Sequence, residues 1–479
     1  MNSSRSNKRL RNNIVYSSLY QLLVFIVPII TTPYVTRIFD STQMGEYSLT
    51  LSIASLFVIL SQFGIETFGI REVAKLESKT ERDELFFKLV SIQFIISILV
   101  FAIYNIIFVV WMESQSKQLF FVQSLLILSN IFDISWFYIG IEEIKKTILR
   151  NVMAKVFITV SIFLFIKDSN QLITYSILNV IGMLIGNLTM VISSRHYIDY
   201  NNMKFSLKKD LLLGSFYLLI PRVLNSSYGS IENTILRVQS SSSNVGIYAQ
   251  AKKIDNLIFS VIESAINALS PRMSYYVSKK DNENINRILE KGLFYSNIFS
   301  VIFVSGILAV SNDFVNFFFG AGYDMVAPVL SILSVSLIFL PIISLLNRGI
   351  LIPFNKDKEY SISIIIILFT GSISNILLSP LYGAIGAAIA YNITRFSSLV
   401  YLLTIVNDII NVKKIILSII TSFILVSINY FSVRSIAEFL TIENAVISFL
   451  IFGLISLTLN LLSYTLFYLS NLIINNHHR

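Results

Sequence analysis

The sequence predicts an all-α polytopic membrane protein of about fourteen transmembrane helices. Three observations carry that prediction. Apolar runs near the roughly 20 residues a helix needs to cross a bilayer recur along the whole 479-residue chain. Charged residues are 14% of the chain, hydrophobic residues 54%, and the mean hydropathy is +0.71; a soluble domain carries about 25% charge. Finally, Lys and Arg fall overwhelmingly on one side once the runs are threaded alternately in and out.

The chain opens on MNSSRSNKRLRNN, basic and polar, followed by an apolar run too long and too broken for a cleaved signal peptide. It reads as a cytosolic tail. Spans follow at 14–36, broken by Pro28, and at 45–66, opened by Gly45-Glu46-Tyr47 and closed by Glu66. The third and fourth lie at 89–111 and 119–141, with Asp133 in the fourth. The fifth, 151–166, is short and starts just before Lys155, which is read as snorkelling to the inner interface. The sixth lies at 172–193, the seventh at 211–236 and the eighth at 245–269. Runs at 293–311, 325–347, 360–379, 383–406, 415–433 and 446–468 complete the set.

With the N-terminus inside, twenty-six of the 37 Lys and Arg lie in inner segments and five, Arg37, Lys117, Lys167, Arg237 and Arg434, in outer ones. Six lie within or at the edge of spans: Lys155, Arg222, Lys252, Lys253, Arg348 and Arg395. Retention of cations in cytosolic loops explains the ratio and places both ends inside. It also accounts for the net charge of +9 with no nucleic-acid partner.

An internal repeat divides the chain. Gly246-Ile247-Tyr248 opens the eighth span as Gly45-Glu46-Tyr47 opens the second; Arg71 and Arg272 begin matching basic loops that end at Lys88 and Lys291; Pro28 and Pro221 break the first and seventh spans. A repeat of six spans keeps its orientation, so the halves are expected to relate by a pseudo-twofold axis along the membrane normal. The lobes are expected at 1–201 (helices 1–6) and 202–407 (helices 7–12), with accessory helices 13 and 14 in 408–479.

Composition removes several chemistries. There is no cysteine, and the histidines are His196, His477 and His478. No G-x-x-x-x-G-K-[ST] loop is present, and the outer loops are too short to house a catalytic domain. An enzyme, a cofactor and a metal site are not expected.

The candidate site centres on the seventh span, LLLGSFYLLIPRVLNSSYGSIENTIL. Arg222 is about 11 residues in, hence ~16 Å deep at 1.5 Å per residue. A charge at that depth marks a functional site by default; the plainer reading is a kinked helix whose arginine is satisfied by packing. Arg222, Ser226, Gly229 and Asn233 share a helical face, with Asn225 beside them, and that face is expected to look into a cavity. Arg395 shares a face with Tyr391 and Ser398. Arg348, between Asn347 and Gly349, could face a cavity mouth. In AQAKKIDNLIFSVIES, Lys252 and Glu263 share a face with Asp255 about 60° away; a structural Lys252–Asp255 pair and a functional role both fit. Asp133 could be a proton or cation site, or the partner of a cavity arginine. Glu66 and Glu232, nearer span ends, are weaker candidates. A basic interior suits a di-anionic headgroup such as pyrophosphate, which arginine grips through its bidentate fork. The acids Asp133, Asp255 and Glu263 would allow coupling to protons or sodium.

Several stretches together resemble one family. TTPYVTRIFDSTQMGEYSL at 31–49, FGIREVAK at 68–75, VGIYAQAKKI at 245–254 and SPLYGAIGAAIAYNITR at 379–395 are similar to segments of Wzx-type polysaccharide flippases. The most specific, NIFDISWFYIGIEEIKKTILRN at 130–151, resembles their Asp-x-x-Trp-Phe…Gly-Ile-Glu…Arg-Asn pattern. The resemblance places the chain in the multidrug/oligosaccharidyl-lipid/polysaccharide exporter superfamily. It implies two six-helix lobes around a cleft that opens alternately to each side of a bacterial cell membrane. It implies carriage of an undecaprenyl-pyrophosphate-linked oligosaccharide from the inner to the outer leaflet for capsule, O-antigen or exopolysaccharide synthesis, with membrane lipid and a polysaccharide polymerase as partners. Basic cleft residues would receive the pyrophosphate; Arg37 lies in a matching motif, while Arg222, Lys252 and Arg395 rest on depth and facing. An ion-coupled multidrug or cation antiporter of the same superfamily is the rival, expected to have a more acidic cleft. A membrane polysaccharide polymerase would need a long outer loop, which this chain lacks.

Overall fold

The computed structural model describes residues 23–112, 116–200, 208–440 and 446–460. The basic N-terminal tail, the start of the first predicted span, the end of the last, and His477 and His478 lie outside the described residues. All regular structure within them is helical. In chain order the helices are α1 (Leu23–Ile38), α2 (Ser41–Gln62), α3 (Ile65–Val73), α4 (Lys79–Asn105), α5 (Lys117–Ser129), α6 (Ser135–Gly140), α7 (Ile144–Phe165) and α8 (Leu172–Ser194). They continue as α9 (Lys209–Gln239), α10 (Ser242–Ser278), α11 (Asn282–Phe319), α12 (Val326–Ser334), α13 (Ser336–Leu346), α14 (Asp357–Val406) and α15 (Val412–Phe439), and end with α16 (Val446–Asn460).

Each predicted span has its helix or helix pair. Among the described residues, eight segments are long and apolar enough to cross a membrane, and the bent α12–α13 pair, with the turn that follows it, makes a ninth. The 50-residue α14 supplies two spans, because its backbone leaves helical geometry at Gly383 (φ 56°, ψ −129°). α9 and α10 are long enough, but Arg222, Glu232, Lys252, Lys253 and Asp255 dilute their hydropathy.

Three departures from the predicted spans bear on function. The second span breaks at Phe63–Gly64, both with positive φ (50° and 72°). A Cβ on Gly64 would lie 2.1 Å from the carbonyl oxygen of Ser215, so the missing side chain lets α9 reach the break. The fourth span breaks too: α5 ends at Ser129, a single 3₁₀ turn covers Asn130–Phe132, and Asp133 is extended (φ −81°, ψ 95°) before α6 begins. An interrupted helix at membrane depth survives only where protein satisfies its freed backbone groups. Gln93 of α4 does so, donating from Nε2 to the carbonyls of Asn130 (2.5 Å) and Asp133 (3.0 Å), while its Oε1 accepts from Trp136 Nε1 (3.3 Å). The third departure is the fifth span. It is not short: α7 starts at Ile144 and runs 22 residues, taking in Lys145, Lys146 and Arg150, which the charge pattern places in a loop.

Packing divides the chain into two compact units, residues 1–233 and 234–479. The division falls inside α9, later than the 201/202 boundary of the repeat. One core of the first unit gathers Phe86, Phe87, Trp136, Phe137 and Tyr138, with Phe86 and Phe137 edge-to-face at 5.1 Å. The second unit is built around Leu337, Ile338, Leu345, Ile350 and Leu402. Its accessory helices are pinned by polar contacts: Asn460 of α16 donates to Ser305 Oγ of α11 (2.8 Å) and accepts from Asn429 of α15. Interhelical hydrogen bonds of this kind contribute about 0.6–2 kcal/mol each in a membrane, where apolar packing against lipid-like neighbours drives little.

Candidate functional site

A cavity of about 660 Å³ opens in the first unit, lined by α2, the break in the fourth span, α7, α8 and α9. Its charged lining residues are Asp133, Arg150, Lys155 and Arg222, joined by the carboxamides of Gln62, Asn130, Asn151, Asn179 and Asn187.

Arg150, only 9% exposed, organises one wall. Its Nη1 donates to Asp133 Oδ1 (3.0 Å) and Asn187 Oδ1 (2.7 Å); its Nε and Nη2 donate to Asn151 Oδ1 (3.0 and 2.8 Å). Four of the five guanidinium protons are therefore used. Asn187 in turn donates to the carbonyl (2.9 Å) and hydroxyl (3.0 Å) of Ser129, the last residue of α5, and Asp133 Oδ1 accepts from the amide of Ser135 (3.0 Å), which starts α6. One arginine thus ties α7 and α8 to both sides of the break. The two helices lie close enough for this because a Cβ on Gly182 of α8 would sit 2.2 Å from Ile158 Cγ1 of α7. Of the two sequence readings of Asp133, the partner of a cavity arginine is the one this geometry matches. The arginine is Arg150, which sequence reasoning missed; the Arg-Asn at the end of the motif was the available signal.

Lys155 lies one turn beyond Asn151 on α7 and lines the same cavity. It is 11 residues from the start of α7, hence mid-helix and not near the start of its helix as in a span beginning at 151. Among the described residues its ammonium has no ion pair and no hydrogen bond.

Arg222 also reaches this cavity, with Nη1 2.5 Å from Glu66 Oε2; the side chains are 29% and 36% exposed. Glu66 stands in the first turn of α3, just after the Gly64 break. The remaining polar face of α9 divides. Ser226 and Asn225 are exposed, and Asn225 donates to the carbonyl of Pro221 (3.0 Å). Ser230 and Asn233 donate instead to Ser52 of α2, to its carbonyl (2.6 Å) and hydroxyl (3.3 Å). Glu232 is buried and accepts from Tyr228 (3.1 Å).

The other candidates fall into separate places. In the second unit Tyr391 is flanked by Lys252 Nζ, 4.5 Å from its ring centroid, and by Arg395 Cζ at 4.6 Å. Arg395 also donates to the Tyr391 hydroxyl (3.2 Å), and Lys252 to that of Tyr248 (3.3 Å). Asp255 is fully buried; Ser336 donates weakly to Oδ2 (3.4 Å), and Oδ1 has no hydrogen-bond partner. Arg348 pairs with Glu263 (2.8 Å). Arg37 is exposed and donates to the carbonyl of Pro33 (2.9 Å).

Many spans, two compact helical units and a cavity lined by cations and carboxamides define a multi-pass membrane transporter, and the comparisons with known proteins agree. A family model described as polysaccharide biosynthesis protein matches residues 10–277, more than half the sequence, and the chain belongs to that family. A protein of Escherichia coli (strain K12) named as an O-antigen transporter is 20% identical over 387 residues, covering 79% of this chain and 92% of its own. A protein of Haloferax volcanii named as the low-salt glycan biosynthesis flippase Agl15 is 22% identical over 186 residues, 39% of each chain. Among solved structures, the lipid II flippase MurJ in an inward closed conformation superposes with a TM-score of 0.77 at 16% identity, over 96% of this chain and 99% of its own. An inward-facing multidrug resistance MATE family transporter gives 0.64 at 13% identity, over 84% and 99%. The fold is therefore the one these transporters share, and the resemblance to Wzx-type flippases read from the motifs is borne out.

Proposed function

We propose that this protein carries a polyprenyl-pyrophosphate-linked oligosaccharide repeat unit from the inner to the outer leaflet of a bacterial cell membrane, by alternating access and with both termini in the cytosol. A polysaccharide polymerase would then use the delivered unit. The observation that carries the reading is the charge of the cavity: three cations, Arg150, Lys155 and Arg222, against one carboxylate, Asp133. A cavity of that sign favours a di-anionic headgroup and disfavours the cationic drugs an antiporter of the same superfamily would take. The names of the relatives support the same substrate class.

Deleting the gene should abolish surface polysaccharide and leave a lipid-linked sugar on the inner leaflet; mass spectrometry of that lipid identifies the substrate. Complementation with Arg222→Ala should fail although the protein reaches the membrane, and Arg222→Lys should restore export only in part, because an ammonium cannot make the guanidinium's two parallel contacts. Unimpaired export by Arg222→Ala would remove that residue from the site. For ion coupling, Asp255 is the carboxylate best suited: Asp133 and Glu263 are each held by an arginine, whereas Asp255 is buried with one oxygen unpartnered.

A further inference from the structure

The cavity cations are not equivalent, and their hydrogen bonds sort them. Arg150 has spent four donors on protein acceptors and its charge on Asp133. Arg222 shares its charge with Glu66. Lys155 alone among the charged lining residues has neither an ion pair nor a hydrogen bond to its charged group within the described residues. An ammonium held mid-helix in a membrane protein without a counter-charge is costly, and the cost is offset when an anion arrives. Asn151 stands at i−4 on the same face of α7. Its Oδ1 is occupied by Arg150, which leaves Nδ2 as a donor beside Lys155.

We propose that Lys155, assisted by Asn151, is the primary phosphate contact of this cavity, and that the Asp133–Arg150–Asn187 network is a positioning device. The network neutralises Arg150 and fixes the wall from which Lys155 projects. This deepens the functional reading above and rests on it for the nature of the anion. A phosphate would meet Lys155 first, with Arg222 joining when Glu66 releases it.

The test uses the full-length protein in nanodiscs of zwitterionic lipid, titrated with inorganic pyrophosphate by calorimetry. Lys155→Gln should weaken binding at least tenfold, and Lys155→Arg should recover most of it. Because Lys155 makes no contact through its charge and the uncompensated charge is itself costly, the Gln variant should melt at or above the wild-type temperature. Equal affinity in wild type and Lys155→Gln, or no binding by the wild type, would overturn the proposal. Repeating the titration in nanodiscs containing an anionic phospholipid separates the two sources of phosphate. Binding that persists and still depends on Lys155 supports a site for the transported diphosphate; binding that disappears assigns Lys155 to bulk headgroups and overturns it. Export distinguishes the site from the function. If Lys155→Gln loses pyrophosphate but exports polysaccharide normally, the site stands and the functional reading falls. If it binds normally but does not export, the site falls and the function stands.

Discussion

Asp133 and Arg150 show how a single pair reshapes a membrane helix. Both side chains are mostly buried, 18% and 11% exposed, so removing one partner strands the other charge. Asp133→Asn should cost roughly 3–5 kcal/mol by the usual penalty for breaking a buried pair, seen as a lower melting temperature in detergent. Asp133→Asn combined with Arg150→Gln should cost less than the sum of the two single changes, since the double variant buries no lone charge; strict additivity would show that the pair is not coupled. Asp255 predicts a different signature. If it carries the coupling ion, Asp255→Asn should fold normally yet abolish the dependence of transport on an imposed proton or sodium gradient in proteoliposomes. A gradient dependence equal to wild type would exclude it. These roles were only half legible in the sequence. Composition flags a carboxylate within a span, but the partner lies seventeen residues on, in another helix, and only the fold brings the two together.

At the scale of elements, the pattern of apolar runs predicted which segments are helical and missed where helices break. The fourth span contains no proline at its break, and NIFDISWF is as apolar as a continuous helix; what opens it is Gln93, from the preceding span, taking the two carbonyls the helix gives up. Gln93→Leu removes that donor while keeping the volume similar, leaving the Asp133 carbonyl unpaired at about 1–3 kcal/mol and the Asn130 carbonyl with only the Asp133 amide (3.0 Å). The expected outcome is a less stable protein with reduced export. Unimpaired stability and export in Gln93→Leu would mean that the Asp133 carbonyl finds another partner and that the break does not depend on Gln93. The same logic explains the start of α7. Lys145, Lys146 and Arg150 read as a cytosolic loop because cations cluster there, yet Arg150 can enter the helix since Asp133, Asn187 and Asn151 await it. α9 was legible in part: Arg222 announced a polar helix, but the break expected at Pro221 is absent, since the helix runs continuously from Lys209 to Gln239, and its polar face proved to be shared between the cavity and Ser52 of α2.

For the whole molecule, the distribution of Lys and Arg makes a claim that packing alone does not test, namely which loops face the cytosol. The absence of cysteine from the sequence allows a direct answer, because any introduced thiol is the only one to react. Glu77 lies in the turn between α3 and α4, and Lys358 opens α14; both are exposed, as are Asn170 between α7 and α8 and Ala321 between α11 and α12. Fourteen spans with both ends inside put the first two in the cytosol and the last two outside. In intact cells, or in spheroplasts where an outer barrier exists, a membrane-impermeant maleimide should label Asn170→Cys and Ala321→Cys. It should reach Glu77→Cys and Lys358→Cys only after the membrane is opened. The two pairs also test the repeat, since each unit contributes one inner and one outer position. If Glu77→Cys and Lys358→Cys react on opposite sides, an odd number of crossings separates them; the six-span repeat and the parallel arrangement of the two halves would then both fail. Reaction of the pairs on matching sides, with Asn170→Cys and Ala321→Cys together outside, would fix the direction in which Lys155 and Arg222 meet a headgroup entering from the cytosolic leaflet.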